Sequence, residues 1–367
     1  MAWIEDLKKV VEINSHTLNK KGVDEVGKVF QEWFEEIGFE SEIFYRELIG
    51  NHLLFRSKRD AKERILLLGH IDTVFPVGSF EGFKEDEAWV YGAGVCDMKG
   101  GNIVALEALR KVFEEFGEIK DIDILLVSDE ETGSDDSRFV TEKLAKDYDI
   151  CLVFEAGGKN LEVVVGRKGI GTFEIEILGK ASHAGNHYSE GVDANLELAH
   201  KLIKLRKLTN LEQGTTVNIG KIEGGIGANT ISPKAKLLFE IRYTKNSERD
   251  RLLAKVDEIV ATQFVEGSSS QLRGNIQRDV MEPNQKQFDL IKKMEKIVDF
   301  EIPTESRGGG SDANFLATYE VVTLDGFGPF GDGDHTIKER ALKSSFNQRI
   351  ELVSKVLKYH QKEGRIL

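Results

Sequence analysis

The chain has 367 residues, of which 40% are hydrophobic and 31% charged, and its formal net charge is −13. The length suits two domains at roughly 100–200 residues each, and the composition is that of a globular protein with its own core. The two cysteines, Cys96 and Cys151, exclude a disulfide framework and fit a reducing compartment. The acidic balance argues against a nucleic-acid partner.

The N-terminal sequence lacks the apolar core and the cleavage site of a signal peptide. It reads instead as the start of an amphipathic helix with early acidic residues. No run approaches the roughly 18 consecutive apolar residues expected of a membrane span. We therefore expect a cytoplasmic protein that has no membrane partner.

Buried strands that end in polar residues recur along the chain. Short apolar runs predict strands buried on both faces, and helical spacing predicts a helix over 102–116. Strands alternating with helices indicate a largely parallel sheet, and functional groups collect at its carboxyl edge. The strands and the polar residues that follow them are 65–68 before His70 and Asp72, 122–127 before Glu130 and Glu131, 150–154 before Glu155, and 321–324 before a glycine-rich loop with Asp334 and His335.

A different pattern occupies residues 169–275. The predicted elements are a half-buried strand around 173–177, a helix over 193–208, strands over 216–222 and 235–243, a helix over 247–264 and a strand over 271–277. This β-α-β-β-α-β order is the ferredoxin-like arrangement. We therefore predict an α/β fold in which residues 1–168 and 276–367 form a main domain with a mostly parallel mixed sheet. Residues 169–275 would form an inserted ferredoxin-like α+β domain.

Two patterns are compatible with metal chemistry but do not decide it alone. His70 and Asp72 share a face of an extended segment, where the aspartate can accept the ring N–H of a metal-bound histidine. Taken alone, such a pair is more often a surface or hydrogen-bonded pair. Asp97 ends a glycine-rich approach to a helix, where an N-cap is the alternative interpretation.

Glu130 and Glu131 directly follow a strand. Desolvation and mutual repulsion would destabilise two adjacent buried anions unless a cation lies beside them. One carboxylate can then bind the cation while its neighbour takes a proton from water. The alternative is two exposed glutamates in a loop. Together with the His, Asp and Glu residues at other strand ends, the pair suits two zinc ions roughly 3.5–4 Å apart.

The order of the motifs along the chain is more specific than any one of them. They are Gly69-His70-Ile71-Asp72-Thr73-Val74, Gly94-Val95-Cys96-Asp97-Met98-Lys99-Gly100-Gly101, Asp129-Glu130-Glu131-Thr132-Gly133-Ser134, Glu155, Gly179-Lys180-Ala181-Ser182-His183-Ala184-Gly185 and Gly308-Gly309-Gly310-Ser311-Asp312-Ala313. This set resembles the M20 metallopeptidase family, especially its glutamate carboxypeptidase branch, over essentially the whole chain.

The resemblance implies a dizinc amidohydrolase, with cobalt or manganese as substitutes for zinc. Its substrate would be a small peptide or an N-acyl amino acid, cut at an amide beside a free carboxylate. Asp97 would bridge the two ions. His70 and Glu155 would complete one site, and Glu131 and His335 the other.

The resemblance also implies roles around the metals. Glu130 matches the general base of the family, and Asp72 matches the acid that orients the first histidine. The family uses the inserted domain as a lid and dimerisation surface, which implies a homodimer. The substrate-binding candidates are His183, which would reach across the dimer to the scissile carbonyl, Asn229 and Arg242, which would hold the substrate carboxylate, and Arg167 and Gly310.

Two other functions stay open. An N-acyl-amino-acid deacylase, of the acetylornithine deacetylase or succinyl-diaminopimelate desuccinylase type, would need the same metals and a different pocket. Arg167 resembles that branch in its Gly-Arg-Lys-Gly context. A catalytically inactive dimeric binding protein is the more distant alternative, and the intact set of matched ligands argues against it. The glycine runs lack the spacing of a nucleotide-binding fingerprint.

Overall fold

The computed structural model describes residues 2–60, 63–319 and 321–367, so that Met1, Ala61, Lys62 and Glu320 lie outside it. The chain divides into two compact units. The large unit comprises Met1–Gly166, Pro283–Arg307 and Ser311–Leu367, and the small unit comprises Arg167–Glu282 and Gly308–Gly310. Among the described residues, none of the helices combines the length and apolar character needed to cross a membrane.

The helices and strands are numbered in chain order. The α-helices are α1 (Ala2–Val11), α2 (Lys20–Glu36), α3 (Lys99–Phe116), α4 (Ser137–Ala145), α5 (Ala194–Arg206), α6 (Asn246–Ala261), α7 (Gln285–Val298), α8 (Ala313–Ala317) and α9 (Lys343–Glu363). The strands are β1 (Glu40–Phe44), β2 (His52–Arg56), β3 (Ile65–His70), β4 (Lys84–Glu85), β5 (Trp89–Tyr91), β6 (Ile122–Val127), β7 (Ile150–Val153), β8 (Val163–Arg167), β9 (Gly169–Leu178), β10 (Thr216–Gly224), β11 (Lys234–Tyr243), β12 (Ser269–Arg278), β13 (Thr304–Arg307), β14 (Val322–Leu324), β15 (Gly331–Asp332) and β16 (Arg340–Leu342).

The main sheet of the large unit has the strand order β1-β2-β6-β3-β7-β14. The neighbours β6, β3, β7 and β14 run parallel, while β1 and β2 join one edge in antiparallel pairs. Every residue of β3, β6 and β7 is buried, as expected of apolar strands covered on both faces. The predicted mostly parallel mixed sheet is therefore confirmed, and the carboxyl ends of these strands lie at one edge.

Close packing brings the start of α3 to that edge. A Cβ atom on Gly101 would lie 1.8 Å from the main-chain oxygen of Phe154, and one on Gly100 would lie 2.0 Å from that of Val95. Only glycine permits these approaches. The segment that precedes α3 is consequently held against the end of β7.

The small unit is an antiparallel sheet with the strand order β10-β11-β9-β12 and two helices, α5 and α6. Alternate residues of β9 and β11 are buried, and their apolar side chains form a core with both helices. Helix α5 begins after Asp193, whose side chain accepts the N–H groups of Asn195 and Leu196. The predicted ferredoxin-like arrangement is confirmed.

A buried lysine of α5 links the two helices of the small unit. Lys201 on α5 donates to the main-chain oxygens of Ile259 (2.7 Å), Val260 (3.1 Å) and Thr262 (2.6 Å), where α6 ends. Its Nζ also lies 3.0 Å from Oε1 of Glu197. The lysine therefore satisfies carbonyl groups that a helix end leaves without intrahelical partners.

We expect Lys201→Met to lower the free energy of unfolding by about 3–5 kcal/mol, because it leaves a buried carboxylate and several carbonyls without their cation. Urea denaturation followed by circular dichroism measures the change. Lys204→Met, at an exposed position of the same helix, is the matched control and should stay within about 0.5 kcal/mol of the parent protein. Equal stabilities of the two variants would contradict this prediction.

Candidate metal centre

Separate segments of the large unit carry the predicted metal ligands. His70 is the last residue of β3, and Glu155 follows the end of β7. Glu131 lies in a short 3-10 turn, Glu130–Thr132, beyond β6. Asp97 lies just before α3, and His335 lies between β15 and β16. The fold thus gathers ligands that are far apart in sequence.

Two groups of ligand atoms form around one shared carboxylate. Nε2 of His70 lies 3.1 Å from Oδ1 of Asp97 and 3.8 Å from Oε1 of Glu155. Nε2 of His335 lies 3.3 Å from Oδ2 of Asp97 and 3.1 Å from Oε2 of Glu131. Within each group, the candidate ligand atoms all lie within 4.8 Å of one another. The two oxygens of Asp97 therefore face two different histidines.

The turn that carries the glutamates is held by hydrogen bonds. Gly133, in a left-handed conformation with φ 104°, donates to the main-chain oxygen of Glu130 at 2.9 Å. Oδ2 of Asp129 accepts the N–H groups of Asp136 and Ser137, next to the start of α4. Glu130 is only 9% exposed. The alternative of two exposed loop glutamates is therefore wrong.

His335 occupies an uncommon backbone conformation. Its φ is +59°, in the left-handed region that residues other than glycine rarely adopt. Its side chain is 59% exposed, whereas those of His70 and Glu131 are 1% and 4% exposed. The second ligand group is therefore buried on the glutamate side and open to solvent on the histidine side.

The cluster contains more carboxyl groups than imidazoles, and this excess of acids shifts the pKa values of its members. Burial raises the pKa of Glu131 to about 7 and raises the pKa of Glu155 well above its usual range, with a further contribution from the charge of Asp97. Hydrogen bonds to Asp97 and Glu131 raise the pKa of His335 to about 11. Burial opposes ionisation of Asp97 too, but hydrogen bonds from His335 and His70 hold its pKa below the usual value.

This donor set fits two divalent cations. Carboxylate and imidazole groups are the usual protein ligands of zinc and of other divalent transition metals. Cations would offset the repulsion between the buried acids, and a carboxylate with one oxygen toward each group can bridge two ions. The chemistry of the residues therefore agrees with a dinuclear site.

Asp72 contacts one candidate ligand of each group, His70 and Glu131. Nδ1 of His70 lies 3.1 Å from the main-chain oxygen of Asp72 and 3.3 Å from its Oδ1. Oδ2 accepts the main-chain N–H of Glu131 at 3.2 Å and the hydroxyl of Thr17 at 2.6 Å. His70 is the last residue of β3, and the segment continues through Ile71, whose N–H donates to the oxygen of Val127 at 2.9 Å, to a bridge between Thr73 and His16.

Asp97 is not the N-cap of α3. The helix begins at Lys99, and its N-cap position is Met98, which makes no side-chain capping bond. The sequence left a cap and a metal ligand as alternatives because both place an acid before a helix. The oxygens of Asp97 point instead toward the two histidines.

The substrate-binding candidates lie in the small unit, in two places. The segments of His183 and Asn229 are adjacent, because His183 forms a bridge with Thr230 and Ala184 donates to the main-chain oxygen of Asn229 at 3.0 Å. Elsewhere, Arg167 and Arg242 bind the segment Gly308–Gly310, which includes Gly310. Arg167 donates to the oxygen of Gly309 (3.3 Å) and Arg242 to that of Gly308 (2.8 Å).

Known proteins resemble the chain in sequence. The family model of the M20 peptidase dimerisation domain matches residues 165–268. Carboxypeptidase G2 of Pseudomonas sp. (strain RS-16) is 27% identical over 97% of this chain and 88% of its own length. The chain belongs to the M20 metallopeptidase family. It is therefore a metal-dependent hydrolase. Succinyl-diaminopimelate desuccinylase of Xylella fastidiosa (strain 9a5c) is 28% identical over 83% of this chain and 85% of its own length.

Solved structures share the M20 fold. Aminopeptidase PepT from Bacillus cereus ATCC 10987 superposes with a TM-score of 0.81 at 22% identity, covering 97% of both chains. The YXEP protein of Bacillus subtilis, a dinuclear metal-binding peptidase from the M20 family, superposes with a TM-score of 0.72 at 14% identity, covering 98% of both chains.

Thr17 is a contributor to this M20 centre that the sequence did not indicate. It lies between α1 and α2, it is 1% exposed, and its hydroxyl donates to Oδ2 of Asp72. The hydroxyl completes a chain of contacts from Thr17 through Asp72 to His70. Thr17 is far in sequence from every ligand motif, so that only the folded structure indicates its role.

We expect Thr17→Val to weaken metal binding about 10-fold, because a carboxylate behind a ligand loses a hydrogen bond while the side-chain volume is kept. Chelator competition with zinc measures the affinity. Thr17→Ser keeps the hydroxyl and should bind like the parent protein. If the valine variant bound zinc as tightly as the serine variant, Thr17 would have no role in orienting the centre.

Proposed function

We propose that the chain is a two-zinc M20 hydrolase that cuts a peptide-like amide beside a free carboxylate, as a glutamate-type carboxypeptidase. The observation that carries the proposal is the Asp97 carboxylate shared by two ligand groups, with the buried Glu130 next to the ligand Glu131. In this proposal His70 and Glu155 bind one ion, and Glu131 and His335 bind the other.

The bound ions would supply Lewis-acid polarisation of the scissile carbonyl and would lower the pKa of water. Glu130 then has the task of a general base. Its carboxylate takes a proton from the attacking water and passes it to the nitrogen of the leaving amine. The main-chain oxygen of Asp72 accepts a hydrogen bond from Nδ1 of His70, so that Nε2 is the nitrogen available as a ligand.

His183 is suited to donate a hydrogen bond to the scissile carbonyl. Its Nδ1 accepts the N–H groups of Gly185 and Asn186, both at 3.1 Å. A neutral ring with Nδ1 as acceptor carries its proton on Nε2. The side chain is exposed and so available to a substrate. Asn229, on the adjacent segment, would help to hold the free carboxylate of the substrate, as the family resemblance implies.

Arg242 is suited to hold the free carboxylate of the substrate. Its Nε donates to Oε1 of Glu240 at 2.7 Å, and its side chain is 34% exposed. A planar guanidinium binds carboxylates in a bidentate manner. Arg167 and Arg242 both bind the segment Gly308–Gly310. Together with that segment, which includes Gly310, they would form the wall of the carboxylate pocket.

A second candidate is an N-acyl-amino-acid deacylase. The similarity to succinyl-diaminopimelate desuccinylase favours it, because that relative covers most of the chain. The metal ligands and base would be the same, and the pocket would accept an acyl group in place of a peptide. Carboxypeptidase activity is preferred because the relative of that name matches nearly the whole chain.

We also propose that the small unit forms a homodimer through the edge strand β10. That strand pairs only with β11 among the described strands, and its far half is exposed. A groove beside it is lined with apolar residues of α5 and β10, including Ile203 and Ile222, which are 54% and 56% exposed. A second copy would cover an open edge and an apolar groove together, and the match to a dimerisation domain supports that occupant.

The proposed activity is tested with zinc-loaded protein on a panel of substrates. We expect the highest kcat/KM for peptides with C-terminal glutamate or aspartate, and poor hydrolysis of the same peptides with an amidated C-terminus, because the arginines would lose their partner. N-acetyl and N-succinyl amino acids complete the panel. Faster cleavage of the N-succinyl or N-acetyl compounds would establish the second candidate instead.

Glu130→Gln should keep the metals and lower kcat about 10²–10⁴-fold, because a proton acceptor is removed from a position that is not a ligand. Metal analysis and steady-state kinetics on the same preparation separate the two effects. Near-normal turnover in this variant would mean that another group takes the proton. Loss of the metals together with activity would mean that Glu130 is a ligand.

Hybrid dimers test whether His183 acts across the dimer. Mixing inactive Glu130→Gln protein with inactive His183→Ala protein should restore about one quarter of the parent activity, since half the dimers then contain one complete site. Mixing Glu130→Gln protein with the Glu130→Gln, His183→Ala double variant is the matched control and should stay inactive. Verified hybrid dimers without activity would show that His183 does not act in trans.

A further inference from the structure

Glu339 makes a contact that the proposed mechanism does not use. Its side chain is 1% exposed in the large unit, four residues after His335. Oε2 accepts the main-chain N–H of Gly94 at 3.0 Å, and Oε1 accepts those of Cys96 at 2.9 Å and Asp97 at 3.1 Å. A buried carboxylate on one loop therefore binds three main-chain donors on another.

The loop before α3 is built to receive an anion. Gly94 has a left-handed φ of +82° and donates its N–H to Oε2 of Glu339, while the N–H groups of Cys96 and Asp97 converge on Oε1. Converging main-chain N–H groups of this kind form concave anion sites that hold phosphate in other proteins. Here the chain itself supplies the group, the buried carboxyl of Glu339. Its three hydrogen bonds reduce the cost of burial, but burial still raises its pKa to about 8.

This contact joins the segments of two proposed metal ligands. The N–H of Asp97 binds Glu339, while the Oδ2 of Asp97 lies 3.3 Å from Nε2 of His335. The segment that carries His335 and Glu339 is closed by the pairing of β15 with β16 and by the bond from Glu339 N–H to the oxygen of Thr336 (3.1 Å). The distance between Asp97 and His335 is consequently fixed from both sides.

We propose that Glu339 is a positioning residue that holds the Asp97 carboxylate in register with His335, so that one carboxylate can serve two ions. The inference rests on the proposed two-metal site. Glu339 touches no reacting atom and acts through the main chain of Asp97. Its removal would leave the loop free to shift and would weaken the ion bound by Asp97, Glu131 and His335.

The experiment compares Glu339→Gln and Glu339→Ala with the parent protein. Glutamine keeps one acceptor oxygen for Cys96 and Asp97 but places an NH₂ group against the donor of Gly94, and alanine removes every acceptor. We expect the affinity for the second cobalt ion to fall about 10–100-fold in Glu339→Gln, with a larger loss in Glu339→Ala. Cobalt titration read by chelator competition gives the affinities, and the visible absorption spectrum reports the ligand geometry.

Glu197→Gln is the matched control, because Glu197 is a buried acid of the small unit that accepts the N–H groups of Phe264 and Val265. It should lower the melting temperature and leave cobalt affinity and spectrum unchanged. If the parent protein binds two ions and folded Glu339→Gln binds both within twofold and with the same spectrum, the inference is wrong and the metal site stands. A parent protein that binds no ion would overturn the proposed function, and the inference with it. Should Glu339→Ala not fold, Glu339→Gln alone decides.

Discussion

The carboxylate of Asp97 faces a different imidazole with each of its oxygens, at 3.1 Å and 3.3 Å. A shared carboxylate requires that two further sets of ligands approach it from opposite sides. Those sets bring more acids into a buried space, where each raises the cost of ionising the next. The protein therefore has to fix every member of the cluster against mutual repulsion, and most of the surrounding contacts serve that requirement.

The main sheet meets part of this constraint through its parallel strands. His70 ends β3, and Glu131 and Glu155 lie beyond β6 and β7; the carboxyl ends of these strands lie at one edge of the sheet. The other two candidate ligands, Asp97 and His335, lie on loops. Asp97 is held near β7 because glycines at the start of α3 allow close approach. His335 reaches the cluster from a left-handed conformation, which costs of order 1–3 kcal/mol and is retained by the surrounding contacts.

The fold class and the candidate ligands could be predicted from the sequence, because apolar runs that end in polar residues indicate where parallel strands end. It did not contain the contacts that hold the ligands. Thr17 and Glu339 have no motif, and their partners lie on segments that meet only after folding. The acid before α3 was ambiguous since a cap and a ligand need the same residue type.

In the proposed function the large unit binds the metals and the small unit binds the substrate, and the two sets of residues differ in burial. The ligand groups of the large unit are mostly buried, so a substitution there disturbs a cluster of coupled charges. Among the candidates of the small unit, His183 and Asn229 are exposed, Arg242 is partly exposed and Arg167 is buried. The core of this unit and the ion pair of Lys201 with Glu197 stabilise it without the exposed candidates. Changes at His183, Asn229 or Arg242 therefore leave both cores intact. This separation would let substrate-binding residues change while the candidate ligand cluster is kept, and relatives named for different activities do resemble this chain over most of its length.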